Sequence, residues 1–388
     1  MGDCIINNTF ANLIFDRIAL FNGVLFTIVC MIFDLNFFYK KPALDVIVGK
    51  APATLELVFG AALIIILEVE DLEVKFALRG GDLTAINGAS FTLDPGEKMG
   101  IVGESGAGKS VTGFAIINLI SKPGFISGGR ILFNGEEIST FSDEKMRKIR
   151  GNRISMVFQD PMMTLNPVFT IGTQMVETLK AHRNISRHEA EKIALEKLRK
   201  VYIPSPEKRL AQYPHEFSGG QRQRISIARA LILDPDFIVA DEPVSALDVS
   251  IQAQILNLLM EAGRERGLTY LFITHDLSVV QHISSRVAVM YLGTLCEVAK
   301  ADALFTTARH PYTRALSSAI PRVGEKKAKH IKLKGEVPTP VNLPTGCVFH
   351  GRCIYARERC VKEVPKFLSL GTGTFVACHG VGENWAMA

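Results

Sequence analysis

The sequence is poor in net charge and in internal repetition. Its 44 lysines and arginines exceed its 39 aspartates and glutamates by five over 388 residues. So small a basic excess does not by itself argue for nucleic acid as a partner. Charged residues make up 21% and hydrophobic residues 47%, which excludes a disordered chain and suits a globular one. The start lacks a basic leader and a small-residue cleavage site, so no cleavable secretory signal is expected. A reducing compartment is expected with it, and the seven cysteines read as thiols or ligands before disulfides. No heptad pattern is sustained. Long apolar runs are scarce too. IALFNGVLFTIVCMIF (18–33) is sixteen residues between Arg17 and Asp34, against the roughly 17–25 that a spanning helix needs. It leaves three readings open: a membrane-inserted or membrane-associated segment, a buried or poorly folded one, or an accident of gene start or fusion. A second run, LVFGAALIIIL (57–67), is shorter and flows into a strand-like stretch.

From about residue 67 short apolar runs alternate with amphipathic stretches. KMGIVG (98–103), RISMVFQ (153–159), DFIVAD (236–241) and TYLFITH (269–275) read as buried strands. Their near-continuous apolarity suits a parallel sheet covered on both faces. RHEAEKIALEKLRKV (187–201) and SIQAQILNLLMEAGRER (250–266) lie between them as helical patterns. The alternation predicts an α/β domain. The basic, Pro-containing stretch GEKKAKHIKLKGEVPTP (324–340) reads as a linker to a small Cys- and Arg-bearing tail. KMRKIRGNR (145–153) and the arginines Arg222, Arg224 and Arg229 read as solvated charge in preference to a nucleic-acid surface.

GESGAGKS (103–110) fits G-x-x-x-x-G-K-[ST], follows an expected strand and precedes the helical VTGFAIINLI. Gly103, Glu104, Ser105, Gly106, Ala107, Gly108 and Val111 then frame a phosphate cradle of backbone N–H groups. Lys109 reaches the outer phosphates of a nucleotide and Ser110 can ligate Mg²⁺. DFIVADEP (236–243) ends a buried strand in two carboxylates. Asp241 would hold Mg²⁺, and Glu242 would polarise the attacking water as general base. Gln159, ending VFQ, could touch both Mg²⁺ and the water. His275, ending YLFITH, reads as a contact to the terminal phosphate. Each polar residue at a strand end also has a bland reading as a cap or turn; the phosphate loop in the same chain favours the chemical one.

GESGAGKS, VFQDP, FSGGQRQR followed by ISIARAL, FIVADEP with SALD, and ITHD occur in that order. The set resembles the ATP-binding subunit of ABC transporters over about residues 67–320. The resemblance implies a P-loop ATPase fold, a RecA-like core sheet plus a helical subdomain at about 160–225. It implies that two such domains pair head to tail, with Ser218, Gly219 and Gly220 gripping ATP held by the partner and Asp248 at the seam. A serine hydroxyl with glycine N–H groups at a helix start is also a sound anion site on physical grounds. Phe76, in LEVKF, stands where the family stacks an aromatic on adenine; a core phenylalanine is the alternative. VFQDPMMTLNP, QYPHEFSGG, DEPVSALDVSIQAQIL and RHPYTRALSSAIP, with GEVPTPVNLPTGCVFHGRCIYARERC and VACH in the tail, resemble the bacterial importers of the dipeptide, oligopeptide and nickel group. Val244-Ser245 replaces a usual Thr-Thr pair, and KVYIP (200–204) lacks a usual glycine.

The tail cysteines Cys347, Cys353, Cys360 and Cys378 are spaced C-x5-C-x6-C-x17-C. Four thiolates can bind a [4Fe–4S] cluster or tetrahedral Zn²⁺, or can form an unmetallated small core; His350 and His379 read as polar surface. The resemblance implies an ATP- and Mg²⁺-dependent ATPase working with two membrane permease subunits. It also implies a sister ATPase or second copy and, indirectly, an external substrate-binding protein, at the cytoplasmic face of the bacterial inner membrane. Residues 1–66 are extra to that pattern, and APATLELVFGAALIII (51–66) is similar to a stretch of the importers' own permeases. Dipeptides or oligopeptides are the expected cargo, with nickel chelates, glutathione or another solute as alternatives. A soluble ABC ATPase acting on ribosomes or DNA is the rival class; a single cassette counts against it. Intact Lys109, Asp241, Glu242 and His275 count against an inactive pseudo-subunit.

Overall fold

The computed structural model describes residues 66–245, 247–320 and 331–386. The hydrophobic segment before Ile66 and residues 321–330, which include the first part of the expected linker, lie outside the described residues. All described residues except 367–369 belong to one compact unit.

Two sheets build that unit. The first has the order β2-β1-β4-β5, from β1 (Leu67–Leu78), β2 (Gly81–Leu93), β4 (Gly124–Phe133) and the two-residue β5 (Glu136–Glu137). Its pairings are antiparallel. Leu67, Val69, Leu72 and Val74 are all buried, and a register shift between Val69 and Leu72 restores the alternation that places them on one covered face.

The second sheet positions the chemistry. Its strands are β3 (Lys98–Val102), β6 (Ile154–Val157), β7 (Phe237–Asp241), β8 (Thr269–Ile273), β9 (Arg286–Tyr291), β10 (Thr294–Lys300) and β12 (Phe375–Ala377). They run in the order β12-β10-β9-β3-β8-β7-β6. From β9 to β6 every pairing is parallel. Every residue of β6, β7 and β8 is buried, as expected of strands sandwiched between helices. β6 stops at Val157 and β8 at Ile273, earlier than the apolar runs suggest, so Gln159 and His275 emerge in loops past the strand ends. The strand β11 (Phe367–Ser369) falls outside this unit.

Helices cover the sheet: α1 (Lys109–Ile116), α2 (Asp143–Ile149), α3 (Ile171–His182), α4 (Arg187–Lys200), α5 (Pro206–Arg209), α6 (Gly219–Ala230), α7 (Val249–Arg266), α8 (Leu277–Ile283), α9 (Ala301–Thr307) and α10 (Pro311–Ser318). The start of α4 shows why: Ser186 accepts the Glu189 N–H as its cap, and Ala190, Ala194 and Leu198 bury one face at i, i+4 spacing. Lys197, Arg199 and Lys200 in its last turn complement the helix dipole. Residues of α3, α4, α6 and α7 share one apolar core with β7 and β8, including Met175, Leu198, Ile227, Leu259 and Phe272. A second core joins β9, β10, α9 and α10 to Phe349 of the tail. The tail also adds β12 antiparallel to β10, pairing Glu297 with Val376.

Candidate active site

The phosphate loop joins β3 to α1, and its backbone is set by glycine. Gly108 caps α1 at φ 98°, ψ 0°, a left-handed conformation that disfavours side chains. A Cβ there would stand 2.5 Å from the Ala85 carbonyl oxygen, so the position is closed to side chains twice over. Lys109 is 6% exposed, and its Nζ donates to the Gly103 and Glu104 carbonyls at 2.9 and 3.1 Å. The ammonium therefore closes the loop on itself. Burial lowers the Lys109 pKa, and the Glu242 and Asp241 carboxylates oppose that shift.

Asp241 is 3% exposed at the end of β7, and its Oδ1 accepts the Ser110 hydroxyl at 2.9 Å. Burial pushes its carboxyl up to about 6, with the Ser110 hydrogen bond and Lys109 opposing and the Glu242 charge adding to the rise. Glu242 follows at φ 42°, a left-handed backbone for a non-glycine residue, fixed by its N–H donating to the Ile273 carbonyl at 2.8 Å. Both its carboxylate oxygens are held. Oε2 accepts Gln159 Nε2 at 3.0 Å, and Oε1 pairs with His275 Nδ1 at 3.0 Å. Residues expected from four separate sequence motifs thus meet at the carboxyl ends of β3, β6, β7 and β8, the edge where open parallel sheets hold ligands.

Ser218, Gly219 and Gly220 stand apart from this cluster. Ser218 caps α6, accepting the Gln221 N–H at 3.4 Å, while Gln221 Oε1 takes the Ser218 N–H at 3.1 Å. Ser218 is thus a helix cap, and its side chain remains exposed. A Cβ on Gly220 would meet Ile251 of α7 at 3.0 Å, and one on Gly219 would meet Leu247 at 3.9 Å, so the SGG loop and the Leu247–Asp248 segment lie side by side. Asp248 precedes α7, exposed and without a side-chain capping bond. Ser245 donates its hydroxyl to the Glu242 carbonyl at 3.2 Å, and Val244 is buried. Phe76 is half-buried on β1, packed over Gly124.

Cys347, Cys353, Cys360 and Cys378, with His350 and His379, line one small cavity together with His310, Phe349 and Trp385. The four thiols come from separate segments that the fold gathers, Cys360 from the short helix Glu358–Lys362 and Cys378 from just past β12. Burial pushes Cys347 up to about 12 and Cys353 up to about 11, and raises Cys378 as well. Among the described residues, no group of three or more His, Cys, Asp or Glu side chains is arranged to hold a metal ion as it stands. His350 Nδ1 faces the Cys347 carbonyl at 2.8 Å, and His379 Nε2 faces the Glu363 carbonyl at 3.0 Å.

Several ties were not visible in the sequence. Gln223 of α6, 2% exposed, donates to the Pro243 carbonyl at 2.8 Å, linking the SGG helix to the segment after Glu242. The Glu104 N–H donates to the Tyr312 hydroxyl at 2.9 Å, and Arg352 pairs with the Glu104 carboxylate. The basic stretch is partly structural: Arg150 donates to the Ile117 and Asn118 carbonyls, and Arg153 pairs with Asp236. Arg224 and Arg229 likewise bond the Val201 and Thr164 carbonyls.

Comparison with known proteins adds family information. The family described as "ABC transporter" matches residues 86–245, and "Oligopeptide/dipeptide transporter, C-terminal region" matches residues 296–360. The chain is 50% identical over 325 residues to the oligopeptide transport ATP-binding protein AppF of Bacillus subtilis, covering 81% of this chain and 97% of that one. It is 45% identical over 314 residues to the oligopeptide transport ATP-binding protein OppD of Salmonella typhimurium, covering 81% and 93%. Among solved structures, the dimeric post-hydrolysis state of the ATP-binding cassette MJ0796 bound to ADP and Pi matches with TM-score 0.55 at 27% identity, covering 61% of this chain and 98% of that one.

Proposed function

The chain belongs to the ABC transporter ATPase family, in the branch that carries the oligopeptide/dipeptide C-terminal region, and from that premise we propose how its residues serve peptide import. It is an ATP-hydrolysing subunit whose relatives are named as oligopeptide transport or peptide import ATP-binding proteins. The observation that carries the catalytic reading is the Glu242 carboxylate, held at one oxygen by Gln159 and at the other by His275 beside the phosphate loop.

In this reading the backbone N–H groups of Gly106, Ala107 and Gly108, with Lys109, Ser110 and Val111, bind the phosphates of ATP. One hydroxyl, one buried carboxylate and one amide form a donor set suited to a hard cation, so Ser110, Asp241 and Gln159 would hold Mg²⁺, which supplies charge neutralisation on the phosphates. Glu242 takes the proton of the attacking water. Gln159 and His275 aim that carboxylate, and His275 then contacts the terminal phosphoryl oxygens. Catalysis rests on positioning and charge stabilisation.

Ser218, Gly219 and Gly220 stand apart from the Glu242 cluster of the same chain, with the Ser218 side chain exposed, and we assign them to ATP held by a second ATPase, with Asp248 beside them. The solved cassette MJ0796 is dimeric and bound to ADP and Pi, which supports pairing with a second ATPase. Phe76 is assigned to the adenine. Met163, 83% exposed, and Val168, 70% exposed, follow Gln159 directly, with Met162 and Phe169 beside them. An exposed apolar patch at that place suits a membrane permease partner, and the two permease subunits of an importer would place this chain on the cytoplasmic face of the bacterial inner membrane. Among the described residues no helix is long and apolar enough to cross a membrane. Cys347, Cys353, Cys360 and Cys378 fit a [4Fe–4S] cluster in donor type and in sharing one cavity, and would close in to hold it.

The test is Mg²⁺-dependent phosphate release by the purified full-length chain beside its Lys109→Ala variant. Release by the wild type alone is expected; equal release by both would remove the phosphate loop from the account.

A further inference from the structure

The phosphate loop is gripped from the tail. Glu104, its second residue, presents both carboxylate oxygens to Arg352: Nη1 meets Oε2 at 2.6 Å and Nη2 meets Oε1 at 3.2 Å. The partners are 248 residues apart in sequence. The Arg352 side chain is 10% exposed and that of Glu104 27%, unlike the solvated pairs Arg187–Glu191 and Lys362–Glu358. A two-pronged, sheltered guanidinium–carboxylate pair is directional and among the stronger polar contacts.

Arg352 is itself fixed. It ends the short turn His350–Arg352, which follows Phe349. Phe349 is 1% exposed and meets the Tyr291 ring edge-on, with centroids 5.2 Å apart, and the Tyr312 ring at 5.3 Å. The guanidinium lies over the Tyr291 ring at 5.8 Å. Tyr312 in turn accepts the Glu104 N–H. The neighbouring Ser105 and Gly106 are exposed, and a Cβ on Gly106 would meet nothing within 4 Å. This stretch of the loop therefore has little side-chain packing of its own; Lys109 and Tyr312 hold the Glu104 backbone, and the tail holds its carboxylate. Without Arg352, Glu104 becomes a free anion inside the loop that must receive a polyphosphate.

We propose that Arg352 is a positioning residue of the ATP site, holding Glu104 so that the phosphate loop keeps its binding shape and the carboxylate stays turned from the phosphates. The tail is thereby a working part of the nucleotide site. This rests on the ATPase reading and adds to it a residue outside the ATPase motifs.

The test compares steady-state ATP hydrolysis and direct ATP titration for full-length variants. Arg352→Ala should raise KM and Kd about tenfold with kcat within twofold, because the loop meets the phosphates equally in ground and transition states. Arg352→Lys keeps the charge without the fork and should fall between; it also serves if the alanine variant does not fold. Adding Glu104→Gln to Arg352→Ala should recover most of the affinity, since the freed anion is gone; a tail that merely lost stability would not recover. Arg359→Ala, which breaks exposed tail pairs with Glu363 and Glu383, should match wild type. Wild-type KM in both Arg352 variants, or a double variant whose KM change is the product of the two single changes, overturns the proposal. A wild-type chain that neither binds nor hydrolyses ATP overturns the reading beneath it as well.

Discussion

Replacing Glu242 by glutamine changes one atom, the one on which the proposed general-base role rests. The glutamine carbonyl can still accept from Gln159 Nε2, and its amide can donate to His275 Nδ1 in the tautomer protonated at Nε2, so both 3.0 Å contacts survive. The left-handed backbone at φ 42° and the N–H bond to Ile273 are untouched. What is lost is a carboxylate able to take a proton. General-base removal costs about 10²–10⁴-fold, so kcat should fall at least about 100-fold, close to 3 kcal/mol of barrier. Binding should hold or tighten, because one negative charge leaves the phosphate side while Lys109 and its loop stay in place. Phosphate release under saturating ATP, with parallel ATP titration, reads both quantities. Hydrolysis within tenfold of wild type would refute the base assignment, and loss of binding would refute the claim that the contacts survive.

Lys109→Ala should abolish measurable ATP binding, since among the described residues no other buried ammonium closes the loop; tight binding by that variant would contradict the phosphate-loop assignment. Ser218→Ala removes one half of a capping box, a stability cost of about 1 kcal/mol, and should cut hydrolysis while the lone chain still binds ATP; collapse of binding by the lone chain would mean the SGG loop serves its own nucleotide. Anaerobically purified chain should carry iron and sulfide that are lost together when Cys353 and Cys360 are replaced by serine; unchanged iron would place the metal elsewhere. His310 is 2% exposed and burial lowers its pKa to about 3. Its neutral form is favoured in the fold, so stability present above the unfolded value of about 6.5 is lost as pH falls towards 3, about 2 kcal/mol at pH 5. His310→Asn can keep the cap on the Tyr312 N–H and should flatten the fall in unfolding free energy between pH 7 and pH 5; an unchanged slope would acquit His310.

The catalytic cluster was legible because its residues sit in local patterns. GESGAGKS demands a glycine-built turn, and an apolar strand ending in Asp241-Glu242 delivers both carboxylates to one edge. Their convergence with Gln159 and His275 follows from parallel strands sharing that edge. The runs overestimated the strands at 153–159 and 269–275, since Phe158 continues an apolar pattern and Thr274 a β-branched one while the ladder has already ended. The Arg352–Glu104 and Gln223–Pro243 contacts were not legible, because neither residue belongs to a periodic pattern and each pair forms only once distant segments pack. The tail read as a small unit of its own; the apolar ties to the ATPase body are a buried phenylalanine, Phe349, and a three-residue strand, beside the Arg352–Glu104 pair, and short apolar signals of that size do not stand out from a cysteine-bearing loop. Arginines read as solvated charge turned out to bond backbone carbonyls, a role that charge counting does not distinguish from exposure.

The most direct test of the central claim is to tag the full-length chain, isolate it from native membranes in mild detergent and identify what comes with it by mass spectrometry. An ATPase that powers peptide import should bring two permease subunits and a second ATPase, either a sister subunit or another copy. Recovery from the soluble fraction with ribosomes or DNA, and without permeases, would contradict the account.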